Sequence, residues 1–376
     1  MKSLKIYSIL GISIFLMSCN QQDIEDYNSE NIVIVDAEID RSYTTRVARL
    51  GADNLSQFGI FAYDKNIARA RNIVYSKKNS AWKSDKSFTW GSGAMDFYGL
   101  SPSFAISTSN MNLSMNKTPK FIDYIVPTNY DNQFDIMYSS ILQVTQKSSG
   151  GKVKFAFKPA MHYLGFVGKN SIGTDYKVII KSIILHNIVS NGKLVYSTTT
   201  SNMADWQVAT GTEAIYVNDT IDLTTPIALT NLNQQLLKNE YLVMIPQTCT
   251  KWNTSEASPI PITTADANHN YYIETVAQII KDESGNQTYL LGYPDAEVDA
   301  DHPKYESVYF PVTGKTFKIG LGSTLPIMFN GGYNKDGQLY LEHLDRGEGV
   351  EVTVSEWMDF VITPEDWVPV YEELEF

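Results

Sequence analysis

The chain has two cysteines, Cys19 and Cys249, and five histidines in 376 residues. So few cysteines exclude a disulfide scaffold, and a lipid on Cys19 would leave no internal disulfide possible. His162, His186, His269, His302 and His343 are scattered, and there is no His-Glu-x-x-His pair, Gly-x-Ser-x-Gly elbow or phosphate loop. No catalytic constellation and no cofactor is therefore expected. Positive charge is also short: 30 Lys and Arg stand against 42 Asp and Glu, for a formal charge of −12. Without a dense basic patch, nucleic acid is not an expected partner. The apolar run Ile6 to Met17 is interrupted by Tyr7, Ser8, Gly11 and Ser13. It falls short of the roughly 20 apolar residues of a retained spanning helix.

That run follows Lys2 and Lys5 and ends at Leu16-Met17-Ser18-Cys19. A charged start, a short apolar stretch and a small residue before the cut describe a signal peptide over residues 1–18. The four residues resemble the bacterial lipobox, which implies that Cys19 becomes a lipidated N-terminus in the outer membrane. The plainer reading is an ordinary cysteine beside a conventional cleavage site. A polar, acidic tether, Asn20 to Asp26, follows.

The remainder reads as folded protein. Hydrophobic residues make up 43% of the chain, enough to bury a core, and its length suggests two domains. Aromatics at 12%, with 14 prolines and 23 glycines punctuating short apolar runs, favour sheet over helix. Phe121 to Val126 alternates with period two before Pro127. Val153, Phe155 and Phe157 alternate with lysines and alanine, so they share one face of a strand. Met95 to Ser101 reads as a strand stopped by Pro102.

Several stretches in this order resemble the fimbrillin family of Bacteroidales surface fimbriae. They are Phe97-Tyr98-Gly99-Leu100-Ser101-Pro102, Ile125-Val126-Pro127, Asp135-Ile136-Met137-Tyr138 and Val153 to Lys158. Ile183 to Ile188 with Gly192 and Tyr196, Tyr241 to Gln247, Gly314 to Ile319 and Val352 to Trp357 continue the pattern. The chain departs from it at Pro159, where the family often has a histidine; here the histidine is His162. The resemblance implies an all-β protein of two tandem transthyretin-like β-sandwich domains, set at residues 50–200 and 201–376, after a tether and propeptide over residues 19–49.

It also implies a function: a structural fimbrial subunit serving adhesion, exported as a lipoprotein precursor and clipped at an arginine. Loss of an N-terminal strand then opens a groove that a strand of a neighbouring subunit fills. Ile32 to Val35 is the candidate for the lost strand. Arg46 and Arg49 are the candidate cuts, just before the Leu55 strand, although the segment also reads as a solvated linker. The candidate donor is the tail, where Val368, Val370, Leu374 and Phe376 share a face with Glu372 as the exception. The nine residues from Val368 to Phe376, fully extended, span roughly 30 Å at about 3.3 Å each. The tail reads equally as the last strand of its own domain.

Other features point elsewhere. Asp295, Glu297, Asp299 and Glu306 have a spacing like that of calcium-loop ligands, but Ala300 stands where glycine is required and Pro303 interrupts. A solvated acidic loop is the better reading. Trp82, Trp90, Trp206 and Trp252 allow a flat glycan platform, hence a tip adhesin or a lipid-anchored binder of glycan or host protein that never polymerises. Cys249, at the end of an apolar strand, reads as a small core residue.

Overall fold

The computed structural model describes residues 31–40, 55–103, 110–116, 120–129, 132–229, 235–237, 241–254, 258–311, 316–329, 334–336, 338 and 360–362. The first strands are β1 (Ile34–Ile39), β2 (Gln57–Asp64), β3 (Ile67–Lys78), β4 (Ala81–Lys83) and β5 (Met95–Ser101). Next come β6 (Met111–Ser114), β7 (Phe121–Ile125), β8 (Met137–Val144), the single-turn helix α1 (Gln146–Ser149) and β9 (Lys152–Pro159). The chain continues with β10 (His162–Asn170), β11 (Tyr176–Val189), β12 (Asn191–Tyr196), β13 (Ala204–Val208) and β14 (Tyr216–Leu229). It then forms β15 (Gln235–Leu236), β16 (Leu242–Met244), the short helix α2 (Ile262–Ala267), β17 (Tyr272–Glu283) and β18 (Asn286–Leu291). Last are β19 (Glu306–Pro311), β20 (Gly322–Phe329) and β21 (Phe360–Ile362).

The protein is all-β, and the described strands make four sheets. A seven-stranded sheet, in the order β1-β9-β8-β5-β2-β3-β4, packs against a four-stranded sheet, β13-β12-β7-β6. A second pair of sheets, β15-β10-β20-β21 with β16 also on β10, and β14-β11-β17-β18 with β19 also on β17, encloses a separate core. The expected division after residue 200 falls between β12 and β13, which pair with each other in the first unit. The strands just before them, β10 and β11, belong to the second.

Sequence pattern follows layer position. β9 has one water-facing side, and its alternation is clean: Val153, Phe155 and Phe157 are buried while Lys152 and Lys154 are exposed. β2 and β5 sit mid-sheet with a core on each face, so their apolar runs are nearly continuous. Phe58, Ile60, Met95 and Phe97 enter one core; Phe61, Tyr63, Tyr98 and Leu100 enter the other. β10 and β16 are shared in the same way. Leu164, Leu242 and Met244 face the second core, whereas Tyr163 and Val243 face the core of the first unit.

Gly99 lies beneath the aromatic rings of β9. A β-carbon there would approach Phe157 Cζ to 2.7 Å and Phe155 Cδ1 to 3.0 Å, and both rings are wholly buried. Gly99→Val is therefore expected to cost about 1–3 kcal/mol of stability through overpacking. A lower denaturant midpoint at unchanged slope would show it.

Candidate functional site

The described N-terminal segment is built into the fold. β1 runs parallel to β9, with Val35 opposite Val153, Ala37 opposite Phe155 and Ile39 opposite Phe157. The Ile34 amide donates to the Gly151 carbonyl at 3.1 Å and the Asp40 amide to Phe157 at 2.8 Å. On the other side, the Val33 amide donates to the Phe88 carbonyl at 3.0 Å, and the Trp90 amide donates to Asn31 at 2.9 Å. Trp82 Nε1 donates to the Ala37 carbonyl at 2.9 Å. The seven-stranded sheet is thus curled until its outer strands meet, and β1 closes the gap.

Both faces of β1 are matched. Val33 and Val35 are buried with Phe58, Phe88, Trp90, Phe97, Phe155 and Phe157, and Ala37 and Ile39 pack at the margin. Full burial of such a side chain contributes roughly 1.5–3 kcal/mol relative to exposure. The outward face carries acids at every second position, opposite lysines of β9: Asp36 to Lys152 at 3.0 Å, Glu38 to Lys154 at 2.6 Å and Asp40 to Lys158 at 3.9 Å. Burial pushes the Asp36 carboxyl up. Its hydrogen bonds to Lys152 and the Ala37 amide, with Lys154 close by, outweigh that and hold it below its ordinary value. The hydrogen bond to Glu38 raises the Lys154 ammonium.

This corrects the expected strand. Ile32 makes only an isolated bridge, to Thr89, and the strand proper runs from Ile34 to Ile39, four residues past the expected end at Val35. Asp36, Glu38, Asp40 and their lysine partners were missed as a set. The available signal was the matching two-residue period of acids in 36–40 and of Lys152 and Lys154. Cys19, Arg46, Arg49, Val368, Val370, Leu374 and Phe376 lie outside the described residues.

The tryptophans form no platform. Trp252 and Trp90 are buried, Trp82 and Trp206 are half-buried, and the four belong to three different clusters. Their indoles donate inward, Trp206 to the Ala160 carbonyl at 2.6 Å and Trp252 to Ile260 at 3.0 Å. The acidic loop does not converge either. Asp295 pairs with Lys304 at 2.6 Å, while Asp299 accepts from the Asp301 and His302 amides and meets His302 Nδ1 at 2.8 Å. Among the described residues no group of three or more His, Cys, Asp or Glu is placed to hold a metal. Cys249 is buried in the second core, and burial pushes its thiol well up.

Polar side chains do gather on the second unit. His186 Nε2 lies 2.8 Å from Glu274, whose other oxygen accepts from Ser307, and the imidazole stacks on Tyr272 at 4.3 Å. Burial raises the Glu274 carboxyl, but the His186 and Ser307 hydrogen bonds bring it below its ordinary value. The serine donates to the carboxylate and not to the imidazole, so this is not a nucleophile–base pair. Nearby, an open hollow of about 380 Å³ is lined by Pro303, Tyr305, Glu306, Ser307, Tyr309, Asn334, Lys335 and Asp336.

Two packed β-sandwich units with an edge-closing N-terminal strand place the chain in a known structural class. A fimbrial protein from Bacteroides vulgatus shares 16% identity at a TM-score of 0.54, over 80% of this chain and 96% of that one. That likeness concerns the fold. The fimbrillin-like sequence profile matches residues 45–357, and the chain belongs to the fimbrillin-like family. Matches also extend to a putative cell adhesion protein from Bacteroides uniformis, with 13% identity, 80% and 94% coverage and a TM-score of 0.40. The tip fimbrial protein Mfa3 from Porphyromonas gingivalis, with C-terminal truncation, gives 11% identity, 79% and 94% coverage and a TM-score of 0.33. A search of curated proteins gives no match. Family membership supports a fimbrial or adhesin subunit at the cell surface that associates with other fimbrial subunits.

Proposed function

We propose that the chain is a fimbrial subunit of two transthyretin-like sandwiches, exported as a lipoprotein precursor through Cys19, clipped at Arg46 or Arg49 and assembled by donor-strand exchange. The observation that carries this reading is β1. It lies N-terminal to both arginines, yet it occupies a closing position in the first sandwich. A cut after it turns an internal strand into a separate peptide held without a covalent link. Its departure would leave the β9 edge unpaired and Phe155 and Phe157 open to water, a seat that another strand can fill.

Arg46→Ala with Arg49→Ala is expected to leave the precursor unclipped and unable to polymerise. N-terminal sequencing and unheated gels of surface material would read this. Normal ladders with the usual N-terminus from the double variant would refute the assignment.

The hollow beside Tyr305 and Tyr309 favours a second reading, a surface adhesin that retains its lipid on Cys19 and does not polymerise. Tyrosine faces beside Glu306, Asn334 and Asp336 supply the stacking and hydrogen bonding that a saccharide uses. Lipid-linked monomers as the sole surface species would favour it.

A further inference from the structure

The hollow beside β19 presents mostly hydrogen-bond acceptors. Its floor is the row Tyr305, Ser307 and Tyr309, and its far wall is residues 334–336. That wall is fixed: the Ile262 amide of α2 donates to the Lys335 carbonyl at 2.9 Å, and Asn334 Oδ1 accepts from the Asp336 and Gln338 amides at 2.9 and 3.0 Å. Tyr309 is held edge-on to Tyr272, with ring centroids 5.9 Å apart. Floor and wall are thus in place before a ligand arrives.

The direction of each hydrogen bond decides what the hollow can take. Ser307 donates its one hydroxyl hydrogen to an oxygen of Glu274, whose other oxygen meets His186 Nε2 at 2.8 Å. In its hydrogen bond with Tyr309, Ser307 is therefore the acceptor, and the phenol has given up its own hydrogen. Both hydroxyls turn only lone pairs toward the hollow. Glu306 and Asp336 add carboxylates, against the ammonium of Lys335. Asn334 adds little, because its oxygen is taken and one amide hydrogen goes to Gln338 at 3.2 Å. The ring faces suit a cation as well: Lys304, held by Asp295 at 2.6 Å, lies 5.7 Å from the Tyr305 ring centre.

We propose that the saccharide this hollow takes is an amino sugar, its free ammonium among Ser307, Tyr309, Glu306 and Asp336 and its ring against Tyr305. This rests on the saccharide reading given above and adds the charge class of the ligand. An ammonium has three hydrogens to donate and no lone pair to accept with, so it matches a wall of acceptors. Its bonds to carboxylates are roughly twice as strong as neutral ones. The hydroxyl of a neutral sugar brings lone pairs of its own against those of the wall, and N-acetylation removes both the charge and two of the three hydrogens.

The test titrates the full chain by calorimetry, at a mildly acidic pH where sugar amines are protonated, with three trisaccharides of the same linkage: of glucosamine, of N-acetylglucosamine and of glucose. The glucosamine trimer should bind about tenfold more tightly than the other two. Glu306→Gln and Asp336→Asn should each weaken it about tenfold and leave the glucose trimer unaffected. Asp85→Asn, exposed in the first unit, should leave the glucosamine trimer's affinity unchanged. An equal loss there would reduce the effect to general attraction toward an acidic protein and overturn the site. Equal binding of the glucosamine trimer and either of the others overturns the amino-sugar inference while leaving the saccharide reading standing. Binding of none of the three overturns both. Trilysine binding more tightly than the glucosamine trimer, and weakened by the same two substitutions, would assign the hollow to a peptide amine and overturn the sugar.

Discussion

Replacing Phe155 by alanine is expected to lower the free energy of unfolding by about 3–5 kcal/mol, the range for removing a buried phenylalanine ring. The ring is fully buried, packs against Phe58 and Phe157 at centroid distances of 6.0 Å, and stands opposite Ala37 of β1. The surroundings cannot close around the gap, because Phe58 is itself held by Tyr75, Trp82 and Phe157. Val35→Ala removes two methyl groups from the same core and should cost roughly 1.5 kcal/mol. Urea unfolding of the intact chain would rank the two. A Phe155→Ala loss no larger than that of Val35→Ala would mean that β1, and not the β9 rings, dominates this core.

The second large effect is one of pH. Asp135 precedes β8, Asp219 lies on β14, and both are buried where the two units meet. Gln133 joins the units there. Its amide nitrogen donates to Asp219 at 3.3 Å and to the Pro127 carbonyl at 3.1 Å, and its oxygen accepts from the Val243 amide at 3.1 Å. Oδ1 of Asp135 and Oδ1 of Asp219 have no hydrogen-bond partner among the described residues. Burial raises both carboxyls to about 7, against the opposing pull of Tyr163 on Asp135 and of Gln133 on Asp219.

An acid raised in the folded state favours folding when protonated. Its contribution is complete below the unfolded value near 4 and is lost as pH rises through about 7. Each group thus removes on the order of 4 kcal/mol between pH 4 and pH 8. Asp36 and Glu274, held below their ordinary values, act in the opposite sense, and their contribution is lost as pH falls through the acid range. Stability should therefore peak at mildly acidic pH. Asp135→Asn should flatten the decline toward pH 8, which thermal melts at several pH values would detect. An unchanged slope in Asp135→Asn would place the titrating group elsewhere.

What could be read from the residues was the part governed by period and by local stops. Val153, Phe155 and Phe157 share a buried face, as do Ile122 and Tyr124, because one side of each strand meets water and the other meets the core. Pro102 and Pro127 follow strands at the expected places. The first strand was read as ending at Val35 because acids alternate through its second half, and the lysines that neutralise them are brought near only by folding. The tryptophan platform failed for a related reason: aromatic content does not say which way a ring points. β14 passed unnoticed since its alternation is carried largely by Asn, Asp and Thr, with Asp219, Ile221, Leu223 and Leu229 as the buried members. Pairing partners such as β10 with β20, parallel over eight positions, leave no local mark at all.

The strands shared between the two units have a mechanical consequence. Tyr163 and Val243 point into one core while their neighbours Leu164 and Leu242 point into the other, so the units have no separable linker at this place. Bending the molecule there means tearing apolar side chains out of a packed layer, unlike domains joined through a small polar contact, which swing by default. Under tension the two units would resist hinging at this place, and in the assembly proposed above any give would have to come from the joints between one copy and the next.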